Sequence, residues 1–299
     1  MRKQIFRLSE RTLGSRSSVP RPKADQTNSG LNTHMNTQTI ENQFARMGAR
    51  FQVVHQETTR RDADYALDIR ADRRGQYFEL RVPASVERSL EVAVLQVQPQ
   101  ERHLVLLVKK PEVKDRFLCG HDEREWFVAA VPGTATTVMQ AREALKPQFI
   151  RLEETRRGLR ARERARRRNA VAIRQGEWFF VPKPEMVVKA PLIFRTEPIR
   201  RGAGKPHMVA EVYREGGEMV LVCPRHPNGL TEAAYNTLLA RKPKAKGWGW
   251  TRMRRNAGVY ARGTVRHPDH ATITLPCWHE VLMNTETLSR TMANVAFLD

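Results

Sequence analysis

A chain of 299 residues can bury a sizeable core in one large domain or two ordinary ones, and 40% hydrophobic against 28% charged residues is too apolar for general disorder. Lysine and arginine number 52 against 32 acidic residues, a formal charge of +20, which points to a polyanionic partner. No apolar stretch approaches the ~20 residues of a bilayer-spanning helix, so no membrane partner is expected.

Residues 1–23 hold seven basic groups and one acid, and residues 15–39 are rich in Ser, Asn, Thr, Pro and Gln. Together, residues 1–39 read as a flexible basic arm. The three cysteines, Cys119, Cys223 and Cys277, cannot build a disulfide framework and suit a reducing, cytoplasmic compartment. The Arg- and Ser-rich start faintly resembles an organelle transit peptide, so organelle import is the alternative.

Residues 40–147 are expected to form a β-rich module. Ile40, Phe44 and Met47 fall at helical spacing before Gly48. Strands are predicted at 51–55, 65–70 and 77–82, the last two joined as a hairpin across Arg73-Arg74-Gly75. In 65–70, Tyr65, Leu67 and Ile69 alternate with Ala66, Asp68 and Arg70, the pattern of a half-buried strand. The more continuously apolar 90–97 and 103–108 follow, then 117–119 and 126–131. Val138, Ala141 and Leu145 mark a helix that Pro147 ends.

Residues 148–175 read as an Arg-rich linker, with nine Arg and three Glu between 151 and 168. A helix over 152–168 would set Arg156, Arg160, Arg164 and Arg168 in one cationic stripe, on a rod of roughly 25 Å. Gly158 is its weak point. Residues 176–299 then read as an α+β module. Strands are expected at 192–195, 208–213 and 219–222, and a helix capped by Thr231 over 232–240.

The segment 241–255 has seven basic residues and no acid. As a strand it places Trp248, Trp250, Arg252 and Arg254 on one side, with Lys242, Lys244 and Lys246 before it and Arg255 at its end. Asn256-Ala257-Gly258 reads as a hairpin loop, and the returning strand turns Tyr260, Arg262 and Arg266 outward. A third strand over 271–275 completes a basic-aromatic meander. Such a face stacks rings on unpaired bases and meets phosphates with cations, which favours RNA or single-stranded nucleic acid over duplex DNA. Burial of the two Trp rings in a core is the competing expectation.

His267-Pro268-Asp269-His270, Cys277 and His279 form the densest run of metal-ligand types, and Cys223 and His226 could add two more. No CxxC pair occurs, so no cofactor is predicted, with zinc or magnesium as the alternative. A metal-dependent nuclease using His267, Asp269 and His270 is the second functional reading. Asp68 or Asp72 ahead of Glu79-Leu80-Arg81 resembles the acid, then acid-x-Lys layout of restriction-type nucleases, with Arg81 where lysine is expected. No phosphate loop, GxGxxG or GxSxG occurs, which argues against an ATPase, a dinucleotide enzyme or an α/β-hydrolase.

The expected architecture is α+β, two β-rich modules joined by a basic helix and preceded by a disordered N-terminal arm. The expected function is non-catalytic nucleic-acid binding, RNA favoured over DNA, within a ribonucleoprotein. A basic scaffold that meets an acidic protein is the third reading.

Overall fold

The computed structural model describes residues 36–57, 64–201 and 204–288. Most of the proposed basic arm, residues 1–35, lies outside them, and its last residues, from Asn36, belong to the first helix. The Asn36 side chain accepts from the Thr39 amide (3.0 Å), capping α1 (Thr37–Arg46). Among the described residues the fold is mostly β, with six α-helices, and no helix is long and apolar enough to cross a membrane.

In the amino-terminal half, β1 (Phe51–Gln56), β2 (Ala66–Asp72) and β3 (Gly75–Pro83) form a sheet in the order β1-β3-β2. The β2–β3 hairpin turns at Gly75, whose φ of +102° suits glycine. After the single turn α2 (Ala84–Glu87) comes a four-stranded antiparallel meander: β4 (Glu91–Gln98), β5 (His103–Lys110), β6 (Val113–Asp122) and β7 (Glu125–Val131).

Alternate residues of β5 enter different cores. Leu104, Leu106 and Val108 face Phe44, Phe51, Phe78 and Phe117, whereas Val105 packs with Leu118, Val138 and Ala141 of α3 (Val138–Ala144). Both faces of the sheet are therefore covered, and the strand needs apolar residues at successive positions. Asp68 and Glu79 stand opposite each other in β2 and β3. Arg70 and Arg81 lie within 3.8 Å of both, so guanidinium groups take the place a metal would need.

The linker folds differently from its expected single helix. It forms α4 (Gln148–Arg156) and α5 (Ala161–Arg164), separated at Gly158, whose φ is +66°. Glu154, fully buried, accepts from Lys146 (2.8 Å) and Asn169 (2.7 Å) and draws the chain back over itself. Ile150, Val171 and Ala172 then pack on Phe179 and Val181 of the carboxy-terminal half.

That half is built on β8 (Ile173–Gln175), β9 (Trp178–Pro182), β10 (Phe194–Ile199), β11 (His207–Glu215), β12 (Glu218–Cys223), β13 (His226–Leu230), α6 (Glu232–Arg241), β14 (Thr251–Arg255), β15 (Gly258–His267) and β16 (His270–Met283). Six strands make one antiparallel sheet, β10-β11-β15-β16-β9-β8, and three make another, β13-β12-β14. The expected hairpin at Asn256-Ala257-Gly258 is absent: β14 pairs with β12, and β15 pairs with β11 and β16. The β11–β12 chain bends at Gly216 and Gly217, and the β14–β15 chain bends beside it at Asn256 (φ +57°). A Cβ on Gly217 would lie 2.9 Å from the Ala257 nitrogen and the Arg255 oxygen, so glycine permits the backbones to approach there. The bent ribbon carries residues 218–255 as a projection from the six-stranded sheet.

Candidate functional sites

The projection has little apolar interior. Val220, Cys223 and Ala245 are buried, but no residue of α6 is. Its aromatic residues instead gather beside the turn Pro243–Gly247. Trp248, Trp250 and His226 form three near-parallel ring planes, 16–20° apart, with centroids separated by 5.5–6.2 Å. Tyr235 meets Trp250 edge-on at 5.0 Å, and the Trp250 Nε1 donates to the Ala245 carbonyl (2.8 Å). The Arg225 guanidinium lies 4.5 Å from the Trp248 ring centre. Both Trp residues are half-buried, between the open strand face and the closed core foreseen from the sequence.

Near this group Lys242, Lys244, Lys246 and Arg252 are exposed, as is Arg254 towards the ribbon bend, where it donates to the Gly216 carbonyl (2.8 Å); none of the five has an ion-pair partner among the described residues. Arg252 and Arg254 stand opposite Leu221 and Met219 in register and share one face of the small sheet. Arg255 differs from them, being paired with Glu218.

The other proposed contacts lie elsewhere. Tyr260, Arg262 and Arg266 belong to the six-stranded sheet, not to a meander with the Trp residues. Tyr260 neighbours Tyr213 (centroids 6.0 Å), and Arg262 donates to Glu211 (2.6 Å) above Trp278. Arg156, Arg160, Arg164 and Arg168 do not form a stripe, because the chain reverses between the first and the last. Arg156 is paired with Glu153 (2.6 Å), and Arg164 bonds the Leu159 carbonyl (3.2 Å) and the Thr155 hydroxyl (2.5 Å). Arg160 caps α5, and Arg168 bridges to Ile173.

The six suggested metal ligands separate into three places. Cys223 and His226 lie in the projection. Cys277 and His279 sit together on β16, where His279 Nδ1 is 2.8 Å from the Cys277 carbonyl. Seven residues of strand between His270 and Cys277 amount to on the order of 20 Å, too far for one ion. His267 and His270 face each other across the β15–β16 turn and are joined by His207, absent from the sequence-derived set. The register pairs Met208 with Arg266 and so brings His207 level with His267. That pairing is not legible in the isolated Lys205-Pro206-His207 segment.

One ring nitrogen from each of His207, His267 and His270 lies within 4.8 Å of the others, so the group could hold a metal ion. Burial is the first cause of a lowered pKa in all three: His207 falls to about 2, His270 to about 4, and His267 moves in the same direction. The rings are therefore neutral near pH 7, with lone pairs available. Asp269 is held by Lys205, which reaches both carboxylate oxygens at 2.6 Å.

Beside this group lies a cavity of about 910 Å³, lined by His103, Arg142, Arg174, Arg201, Glu286 and His270 among others. Several of its cations are already paired, including Arg201 with Glu286 (2.6 Å) and Arg142 with Glu101 (2.6 Å).

Comparison with known proteins gave no match to a family, a curated protein or a solved structure.

Proposed function

We propose that this chain is a non-catalytic nucleic-acid-binding protein that holds RNA or another single strand on the projection 218–255, as part of a ribonucleoprotein in a cytoplasm-like compartment. The finer architecture in this reading is two β-rich modules, with the amino-terminal one and the folded linker supporting the binding unit. The carrying observation is the set of five exposed cations, without ion-pair partners among the described residues, on the projection that carries the Trp248–Trp250–His226 group. Cations in that setting attract phosphates by releasing counterions, while aromatic planes accept unpaired bases at about 1–3 kcal/mol each. The Arg-rich linker supports the reading less, since Glu153, Glu143, Asp122 and Glu123 neutralise several of its arginines.

Titration of a fluorescent single-stranded RNA with the full chain tests the reading. Binding should weaken steeply with salt, and Trp248→Ala should weaken it by about 1–3 kcal/mol. Salt-independent binding, or none, would remove it, and a protein captured after nuclease treatment would favour the scaffold alternative.

A metal-dependent nuclease is the second reading, favoured by the convergence of His267 and His270 with His207. Its imidazole donors suit zinc better than magnesium. Against it, Lys205 occupies the Asp269 carboxylate that would act as base or ligand. Metal-stimulated cleavage lost in His270→Ala would establish this alternative.

A further inference from the structure

We propose that His207, His267 and His270 form a structural zinc site that fastens the start of β11 to the β15–β16 turn. This inference stands apart from the nucleic-acid reading and deepens only the metal-binding capacity of the cluster.

The donor set comes first. His207 is 1% exposed, and among the described residues neither of its ring nitrogens has a hydrogen-bond partner; His270 Nδ1 is likewise buried without one. Polar groups buried in that state are normally satisfied by protein, water or an ion. Gly176, in the β8–β9 turn, shows where two of the rings meet. A Cβ there would be 2.9 Å from His270 Nε2 and 3.3 Å from His207 Nε2, and the glycine φ is +58°. Glycine thus leaves the volume in which the two nitrogens approach each other.

The arrangement implies a defined movement on binding. The rings are nearly parallel, at 22–25°, with centroids 4.1–5.7 Å apart. Their lone pairs converge on an ion at about 2.0–2.1 Å only when the rings turn about their terminal side-chain torsions. His267 Nδ1 now accepts from the Asp269 amide (3.1 Å), a bond that yields as that ring turns. Three imidazoles leave the fourth tetrahedral position to water. Glu123, whose Oε2 is 3.9 Å from His270 Nδ1, accepts from the Ala271 amide and is paired with Arg167, so it serves as a fixed counter-charge. Late first-row metals match this nitrogen-rich set, and zinc is the one without redox chemistry.

The fastening role follows from position. Around the cluster, the β6–β7 turn meets the β15–β16 turn through polar contacts: Arg124 donates to the Pro268 carbonyl (3.0 Å), and Lys205 bridges Glu125 (3.2 Å) and Asp269. Asp269, His270 and Gly176 line the large cavity, which gives an ion a route inward. A metal held here joins β11, β15 and β16 and so steadies the turn that these polar contacts hold against the other half.

The test uses untagged, full-length protein stripped with chelator and titrated with zinc or cobalt. One equivalent of zinc per chain should bind and raise the melting temperature, and cobalt should give the visible bands of a tetrahedral nitrogen-oxygen site. His207→Gln and His270→Gln should each lose the metal; His55→Gln, remote and exposed, should keep it. Should His207→Gln fail to fold by circular dichroism, His270→Gln at the turn carries the test. Wild-type protein that takes up no zinc, or a bound zinc that survives the His270 substitution, overturns the proposal. Single-stranded RNA binding by the stripped protein is measured in parallel, so loss of either property is distinguishable from loss of the other.

Discussion

Replacing Lys242, Lys244 and Lys246 together by alanine separates local electrostatics from general basicity. The three side chains are exposed on or next to the Pro243–Gly247 turn, and no described carboxylate pairs with them, so folding should be little disturbed. Each phosphate contact with a single strand contributes about −0.7 to the slope of log affinity against log salt, so five cations give roughly −3.5 and the variant about −1.4. Between 50 and 200 mM salt the wild type should therefore lose on the order of 100-fold in affinity, the variant only ~7-fold. Fluorescence anisotropy over a salt series measures both slopes. Arg156→Ala, which removes a cation already paired with Glu153, is the control and should leave the slope unchanged. Equal slopes for wild type and the triple variant, or an equal effect from Arg156→Ala, would refute the assignment of binding to the projection.

Three other perturbations probe the fold beneath that surface. Gly217→Ala forces a Cβ against two backbone atoms at a φ of +77° and should destabilise the ribbon bend by about 1–2 kcal/mol or more, read as faster amide exchange in β12 and β14; unchanged exchange would contradict the bend. Glu154→Ala removes one of the two carboxylates that hold the buried Lys146 ammonium, Glu143 remaining, and should cost about 1–3 kcal/mol in chemical denaturation. Chelated protein should lose stability as pH falls from about 6.5 towards 5. In that window the unfolded histidines take up protons while folded His207 (about 2) and His270 (about 4) do not, so the unfolded state binds more protons. A melting temperature that stays flat from pH 7 to 5 would contradict the burial of neutral rings.

Local pattern carried the reading where one strand meets one environment. The β2–β3 hairpin was legible because Leu67 and Ile69 alternate and Gly75 supplies the turn. The unbroken apolar run of β5 reflects a sheet covered on both faces. Legibility ended where the deciding partner is distant. Asn256 has the positive φ of a turn residue, yet its chain continues, because Gly216 and Gly217 bend the neighbouring strand at the same level. Glu154 looks like one more charge on an Arg-rich helix until Lys146 and Asn169 close on it. The same limit divided the candidate sites. Trp248 and Trp250 were identified as an aromatic pair, but His226 joins them only through the β12–β13 hairpin. His267 and His270 were identified at the β15–β16 turn, whereas His207 depends on strand register 60 positions away.

Photocrosslinking of a single-stranded RNA to the full chain, with the attached peptides identified by mass spectrometry, measures most directly where nucleic acid sits. Crosslinks should concentrate in peptides spanning Arg225–His226 and residues 241–255, with Trp248 foremost. Crosslinks confined to other surfaces, or none at low salt, would contradict the proposed binding site.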